Sequence, residues 1–212
     1  MSDIIADLEW RYAVKRFDQN KILSSEKIEL IKKAFNLTAT SYGLQPIKMV
    51  VLSNKEIQQK LVPHSLDQLQ VGQASHLLVL CVENKVDGTY INSYFDRVKQ
   101  IRGTADEILD PFKQYLMDDF SKKDPEEILA WAKNQAYLAM GNLLTICAVE
   151  HIDACPMEGF IPEEYNRILD LNKRGLSSVL VLPVGYRAED DMFSGLKKVR
   201  RRLSDSVIDL KL

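Results

Sequence analysis

DPEEILAWAKNQAYLAMGNLLTICAVEH, residues 124–151, is the longest uninterrupted helical pattern in the chain. Asp124 is a side-chain cap, Pro125 suits the first helical position, and Glu126 and Glu127 favour the positive end of the helix dipole. Ile128, Ala132, Gln135, Ala136, Ala139, Leu143 and Ile146 share one stripe, but Ala130, Leu138 and Val149 make the other faces apolar as well. A helix apolar all round has to be buried on all sides. Its small residues, Gly141 among them, permit close approach, so it reads as a central helix or as a dimer-interface helix.

The segments on either side supply a sheet. Downstream come a short strand at Asp153–Cys155, a helix at Pro162–Leu169 and a strong strand at Ser177–Val184. Upstream, Leu77–Val82 reads as a buried strand and Lys48–Leu52 as another. Lys55–Leu61 and Leu66–Ala74 are predicted short helices. Ser24-Ser25-Glu26 opens an amphipathic helix with Ile28, Leu30, Ile31, Ala34 and Phe35 on its apolar spacing. This alternation indicates an α+β or α/β three-layer protein. No repeat or low-complexity linker divides residues 1–212, so one domain is expected. From Gly88 to about Phe120 the helical pattern has weak breaks at Gly103 and Pro111 and carries Tyr90, Tyr94, Phe95, Phe112, Tyr115 and Phe120. These aromatics are core or interface residues, or they line an excursion over a pocket, the candidate lid at about 88–120.

Composition narrows the function classes. The 212 residues carry 28 Lys and Arg against 30 Asp and Glu, a net charge of −2, which argues against a dedicated nucleic-acid binder. No apolar run reaches the roughly 20 residues of a membrane span. The segment Met1–Asp7 lacks the basic start and apolar core of a signal peptide. Cys81, Cys147 and Cys155 form no CxxC pair and lie among apolar neighbours, which predicts reduced core thiols and a cytoplasmic location. The tail beyond Arg202, with Val207, Ile208, Leu210 and Leu212, is expected to pack on this chain or on a partner.

Two basic clusters stand out against that near-neutral background: Arg11-Tyr12-Ala13-Val14-Lys15-Arg16 and Lys197-Lys198-Val199-Arg200-Arg201-Arg202. They are either solvated charge runs or, if folding joins them, a clamp suited to a phosphate group. Other chemistry is missing. There is no G-x-G-x-x-G, no P-loop, no G-x-S-x-G elbow, and His64, His76 and His151 lack metal-ligand spacing, so no metal site is expected. The acidic groups Asp118-Asp119 and Glu189-Asp190-Asp191 read as solvated turns. An enzyme without evident acid–base residues points to a cofactor that carries the chemistry.

Four segments, taken in order, resemble one family. Arg11-Tyr12-Ala13-Val14-Lys15-Arg16-Phe17-Asp18 is similar to the R-x-S-x-[RK]-x-[FY] opening of the nitroreductases. Thr40-Ser41-Tyr42-Gly43-Leu44-Gln45-Pro46 is similar to their S-x-x-N-x-Q-P segment. Pro156-Met157-Glu158-Gly159-Phe160 follows a short strand, and Val181-Leu182-Pro183-Val184-Gly185-Tyr186 is followed by Lys198-Val199-Arg200. The subgroup most resembled is the oxygen-insensitive NAD(P)H nitroreductase and dihydropteridine reductase type.

The resemblance implies an α+β, three-layer fold with a central mixed sheet flanked by helices, in an intertwined homodimer with FMN at the interface. It implies ping-pong hydride transfer from NADH or NADPH to a nitroaromatic, quinone or other small aromatic acceptor. Dihydropteridine or enone reduction on the same scaffold, or non-catalytic binding of a phosphorylated ligand, remain the alternatives. By resemblance, Arg11, Lys198 and Arg200 bind the FMN phosphate, and Lys15 reaches the ring's N1–C2 carbonyl edge. Asp67 and Gln70 lie on the pyrimidine edge, and Pro156, Met157, Glu158 and Gly159 form the loop at N5 and O4. Tyr12 and Ala13 share the first binding segment, while Ala39, Thr40, Ser41 and Gly43 come from the other subunit. Lys15 and Glu158 tune the flavin rather than react themselves. The sequence departs from the family pattern at Ala13 (usually serine), Gly43 and Asp67 (usually asparagine) and Ile47 (often tryptophan).

Overall fold

The structure, a computed structural model, describes residues 3–210. In chain order the elements are α1 (Ile4–Trp10), α2 (Ser25–Asn36), β1 (Ile47–Leu52), α3 (Lys55–Leu61), α4 (Gln70–Gln73), β2 (His76–Glu83), α5 (Gly88–Arg102) and α6 (Asp106–Lys122). They continue with α7 (Pro125–Val149), β3 (Asp153–Ala154), α8 (Pro162–Ile168), β4 (Leu176–Gly185) and α9 (Leu203–Ser206). Several starts follow from the caps seen in sequence. The Ser24 hydroxyl accepts from Lys27 N–H, and Asp124 forms a full capping box with Glu127.

The sheet has the order β1-β2-β4-β3, and each of its strand pairs is antiparallel. The expected parallel component is confined to one isolated bridge, Ala13 with Ala154, at the β3 edge. Side chains alternate across β2. Leu78, Leu80 and Val82 pack with α2 and α7 through Ile31, Ala136, Ala139 and Leu143, whereas Leu77, Val79 and Cys81 meet Leu61, Val71, Tyr165, Val14 and Phe17. Both faces are covered, which is why β2 reads as a continuous apolar run and not as an alternating one. The result is the three-layer α+β arrangement. A third, smaller core of Leu44, Val86, Ile91, Phe95, Leu116 and Phe120 holds the α5–α6 hairpin together.

Two expectations need correction. Leu66–Ala74 is not one helix. Leu66 and Asp67 take left-handed φ values of 54° and 55°, which interrupt the chain so that only the four-residue α4 forms. Pro111 does not break its helix; α6 runs through it, supported by the buried Leu116 and Phe120 beyond. Gly103 does stop α5, at φ 65°. The α7 helix is buried on one side only, leaving Tyr137 48% and Leu138 55% exposed next to the open Gly141. The tail does not pack on its own chain: Val207, Ile208 and Leu210 are exposed, and Leu212 lies outside the described residues.

Candidate active site

The sheet edge at β3 gathers both ends of the chain. Val14 N–H donates to Ala154 O at 3.3 Å, so residues 11–16 run beside β3. On the other side of this segment, Asp18 N–H donates to Tyr186 O and Ala188 N–H to Arg16 O, each at 2.9 Å. The N-terminal segment is therefore held between β3 and the chain leaving β4. The two basic clusters, remote in sequence, meet because each borders this edge.

They line one cavity of about 560 Å³ that includes Arg11, Lys15, Lys198 and Arg200. The Lys198 ammonium donates to the Arg11 carbonyl. Arg11 is half-buried, and its buried Nε has no hydrogen-bond partner. Burial, followed by the like charge of Arg200, pulls the Arg11 guanidinium below its ordinary pKa. Burial and then the charges of Arg11 and Arg200 do the same to Lys198. None of these three cations forms an ion pair among the described residues, whereas Arg16, Arg167 and Arg187 each have a carboxylate. Three converging cations with an orphaned donor suit a multiply charged oxyanion.

A second group adjoins the first through Lys15. Its ammonium donates to Cys155 Sγ at 3.9 Å, and Gln70 Nε2 reaches the same sulfur at 3.8 Å. Gln70 also donates to Gln68 Oε1 at 2.9 Å, and Gln68 donates to Gly159 O at 3.1 Å. This chain joins the bend at 66–70 to the loop at 156–159. Met157 pairs with Val181 through both backbone bonds, fixing the loop onto β4. A side chain at 159 would press a Cβ to within 3.1 Å of Gln68, so glycine permits the close approach. Tyr137 of α7 donates to Glu158 Oε1 at 2.8 Å. Pro156 leads into this loop, while Asp67 is exposed.

Not every expected residue joins this assembly. Ala39, Thr40, Ser41 and Gly43 lie outside the cavity, in the turn between α2 and β1. Ser41 N–H donates to Gln135 of α7 at 2.9 Å, and Gln45 N–H to Thr40 Oγ1 at 3.0 Å. Tyr42, Gly43 and Gln45 have φ values of 58°, 73° and 50°. The departure at Gly43 has a structural reason: a Cβ there would lie 2.7 Å from the Tyr94 hydroxyl. Tyr94 of α5 occupies the space that an asparagine would need. Tyr90, at the start of the same helix, donates to Leu44 O and Gln45 O at 2.9 and 2.8 Å.

Sequence reasoning missed Arg187, Asp191, Cys155 and Gln68. The Arg187 guanidinium sits 4.3 Å from the Trp10 ring and 4.5 Å from the Tyr12 ring, and its Nη2 pairs with Asp153 at 2.6 Å. The two rings flanking Arg11 are thereby held by one cation. A single charged residue after a strand carries no sequence signal for such a role. Asp191 belongs to the acidic run read as solvated, yet it is 3% exposed. The cysteine between Ala154 and Pro156 read only as a core thiol.

The chain thus combines an α+β fold with a cavity where three cations from its two ends come together. Comparison with known proteins gives its class. A family model for the Nitroreductase family matches residues 8–186, and the chain belongs to that family. A Bacillus subtilis protein provisionally named NAD(P)H nitroreductase YfkO is 30% identical, covering 89% of this chain and 90% of its own. Two solved structures share the fold. The provisionally named nitroreductase ydfN of Bacillus subtilis has a TM-score of 0.87 at 17% identity, covering 98% of this chain and 99% of its own. A provisionally named nitroreductase from Exiguobacterium sibiricum, crystallised in complex with FMN, has a TM-score of 0.84 at 19% identity, covering 100% and 98%.

Proposed function

We propose that the chain is an FMN-dependent NAD(P)H oxidoreductase making two-electron reductions of nitroaromatics, quinones or related acceptors, as a cytoplasmic homodimer. One observation carries the reading: Arg11, Lys198 and Arg200 converge around an unpartnered, buried Arg11 Nε, and none of the three is ion-paired among the described residues, although Glu9 lines the same cavity. The flavin phosphate fits that donor set, and a nucleic-acid backbone would call for a far broader basic surface. The FMN complex of the Exiguobacterium protein and the NAD(P)H in the YfkO name support the same assignment.

Arg11, Lys198 and Arg200 would hold the phosphate, Lys15 and Gln70 the polar edge of the ring, and the backbone of Met157–Gly159 its opposite edge. Bound FMN supplies the hydride-accepting ring. Lys15 would place an ammonium beside the ring edge, where a cation favours the reduced form. Cys155 keeps that ammonium unquenched: burial, the largest influence, pushes its thiol pKa up and leaves it protonated at neutral pH. Tyr137 fixes the Glu158 carboxylate, which holds the 156–159 loop against α7. Residues 39–43 are left for the second subunit's site, and the exposed strip at Tyr137 and Leu138 together with the apolar tail offers the surface for pairing. The α5–α6 hairpin, whose Tyr94 presses on Gly43, would shape the acceptor pocket. Anaerobic titration tests the proposal. A yellow protein that bleaches on NADH or NADPH addition and recovers with a quinone supports it. A colourless protein that binds RNA with a steep salt dependence refutes it.

A further inference from the structure

We propose that Asp191 is a positioning residue for flavin recognition, joining the two chain segments that build the cation clamp; this rests on the phosphate reading above. Its Oδ2 accepts from Lys15 N–H at 2.9 Å, Arg16 N–H at 3.2 Å and the Tyr12 hydroxyl at 3.1 Å. Its Oδ1 accepts from Phe193 N–H at 3.0 Å. Three of the four donors belong to the segment that carries Arg11 and Lys15. The fourth belongs to the segment that leads to Lys198 and Arg200. One carboxylate therefore sets the backbone from which both sets of cations project.

The neighbouring acid shows what a surface role looks like. Asp190 pairs with Arg16 at 2.8 Å, with side chains 62% and 58% exposed, a geometry that contributes little. Asp191 is buried, and both of its oxygens accept bonds from the protein's own donors. Burial opposes its ionisation, but the bonds from Phe193, Lys15, Arg16 and Tyr12 outweigh burial and hold the carboxyl below its ordinary pKa. A carboxylate is needed because four donors converge on it, and an amide would turn an N–H toward one of them. Asp191 reaches the clamp through the backbone it holds, by accepting from Lys15, Arg16 and Phe193 N–H. Arg187, four positions earlier, grips the rings of Trp10 and Tyr12 on the same loop.

The test compares FMN with riboflavin, which differ only in the phosphate, on purified wild-type, Asp191→Ala, Asp191→Asn and Tyr12→Phe chains. Dissociation constants come from quenching of flavin fluorescence, and thermal unfolding of each apo-protein is followed in parallel. The wild type is expected to prefer FMN strongly. Asp191→Ala is expected to lose about tenfold of that preference, Asp191→Asn to recover part of it, and Tyr12→Phe to lose about threefold with its fold intact. Combining Asp191→Ala with Arg11→Ala is expected to cost less than the sum of the two, because both act on one phosphate contact. A scaffold role alone lowers Tm and weakens both ligands by the same factor; that result, or an unchanged preference in Tyr12→Phe, overturns the inference. A wild-type chain that binds riboflavin as well as FMN overturns the phosphate reading itself, and this inference with it.

Discussion

Replacing Arg11 with alanine is the most direct perturbation of the clamp, because it should change ligand affinity far more than stability. A hydrogen bond to a charged partner contributes about 1.5–3 kcal/mol. Arg11 is the half-buried member of the group, so that range applies with less solvent screening than at Lys198 or Arg200, which are exposed. At about 1.4 kcal/mol per decade, the FMN dissociation constant should rise roughly 10- to 150-fold. Arg200→Ala, made at an exposed position, should raise it by about fivefold at most. The apo-protein behaves differently. Arg11 sits beside the like charge of Arg200, and its buried Nε has no partner, so its removal relieves repulsion and a desolvated donor. Loss of the side-chain stem works against this, and the net change in apo Tm should stay within about 2–4 °C, the shift produced by one kcal/mol in a chain of this size. Fluorescence titration and differential scanning calorimetry on the same preparation give both numbers. An FMN affinity unchanged within twofold would show that Arg11 does not touch the phosphate. A Tm that collapses together with affinity would show that Arg11 supports the fold instead.

Other expectations follow from the same geometry. Lys15→Met should lower the midpoint potential of bound flavin by about 30–60 mV, read by anaerobic titration against indicator dyes; an unchanged potential would remove Lys15 from the ring edge. Gly43→Ala should destabilise the protein by about 1–2 kcal/mol, since φ is 73° and the new Cβ meets the Tyr94 hydroxyl at 2.7 Å; Tyr94→Phe should recover part of that loss in urea unfolding. For Asp191 the folded pKa is depressed, so its contribution to stability is present above the unfolded pKa and is lost as pH falls through the folded value. The stability gap between wild type and Asp191→Asn should therefore narrow below about pH 4, and a gap independent of pH would contradict the buried-carboxylate account. Burial pushes the thiols of Cys81 and Cys147 up to about 12, so iodoacetamide at pH 8 should label neither until the protein is unfolded.

The elements legible in sequence were those whose signals are local. Ser24 and Asp124 announce their helices because a short polar side chain satisfies the first free amides, and Gly103 ends α5 because it accepts a left-handed turn. The β2 strand was readable from its unbroken apolar run. Where tertiary context decides, the sequence misleads. Nothing in Leu66-Asp67 announces two consecutive left-handed residues, yet this bend aims Gln68 at Gly159. Pro111 looks like a terminator until Leu116 and Phe120 are seen buried beyond it. Asp190 and Asp191 are the same residue type side by side, and only the approach of Tyr12, Lys15 and Arg16 makes one a surface charge and the other a buried acceptor. The candidate site was legible to the same degree: the cations that would meet ligand were visible as charge clusters, and the groups that orient them were not.

The clamp follows from the order of the strands. With β3 at the edge of β1-β2-β4-β3, the segment at 11–18 completes that edge through the Ala13–Ala154 bridge. The chain leaving β4 then has one adjacent surface, the far side of that same segment, where Tyr186 and Ala188 bond to Asp18 and Arg16. Two runs of positive charge at opposite ends of the sequence are thus brought to one edge by backbone hydrogen bonds, with the Asp191 carboxylate joining their segments. Like charges held together repel, and after burial, the larger cause, this repulsion also lowers the pKa of Arg11 and Lys198. Folding sets up this electrostatic debt, and a dianionic ligand would discharge it, which couples ligand binding to stability by mass action. It follows that FMN should raise Tm more at low ionic strength than at high, and riboflavin should not show that dependence. Equal salt dependence for the two ligands would mean that the cations converge for a reason other than the phosphate.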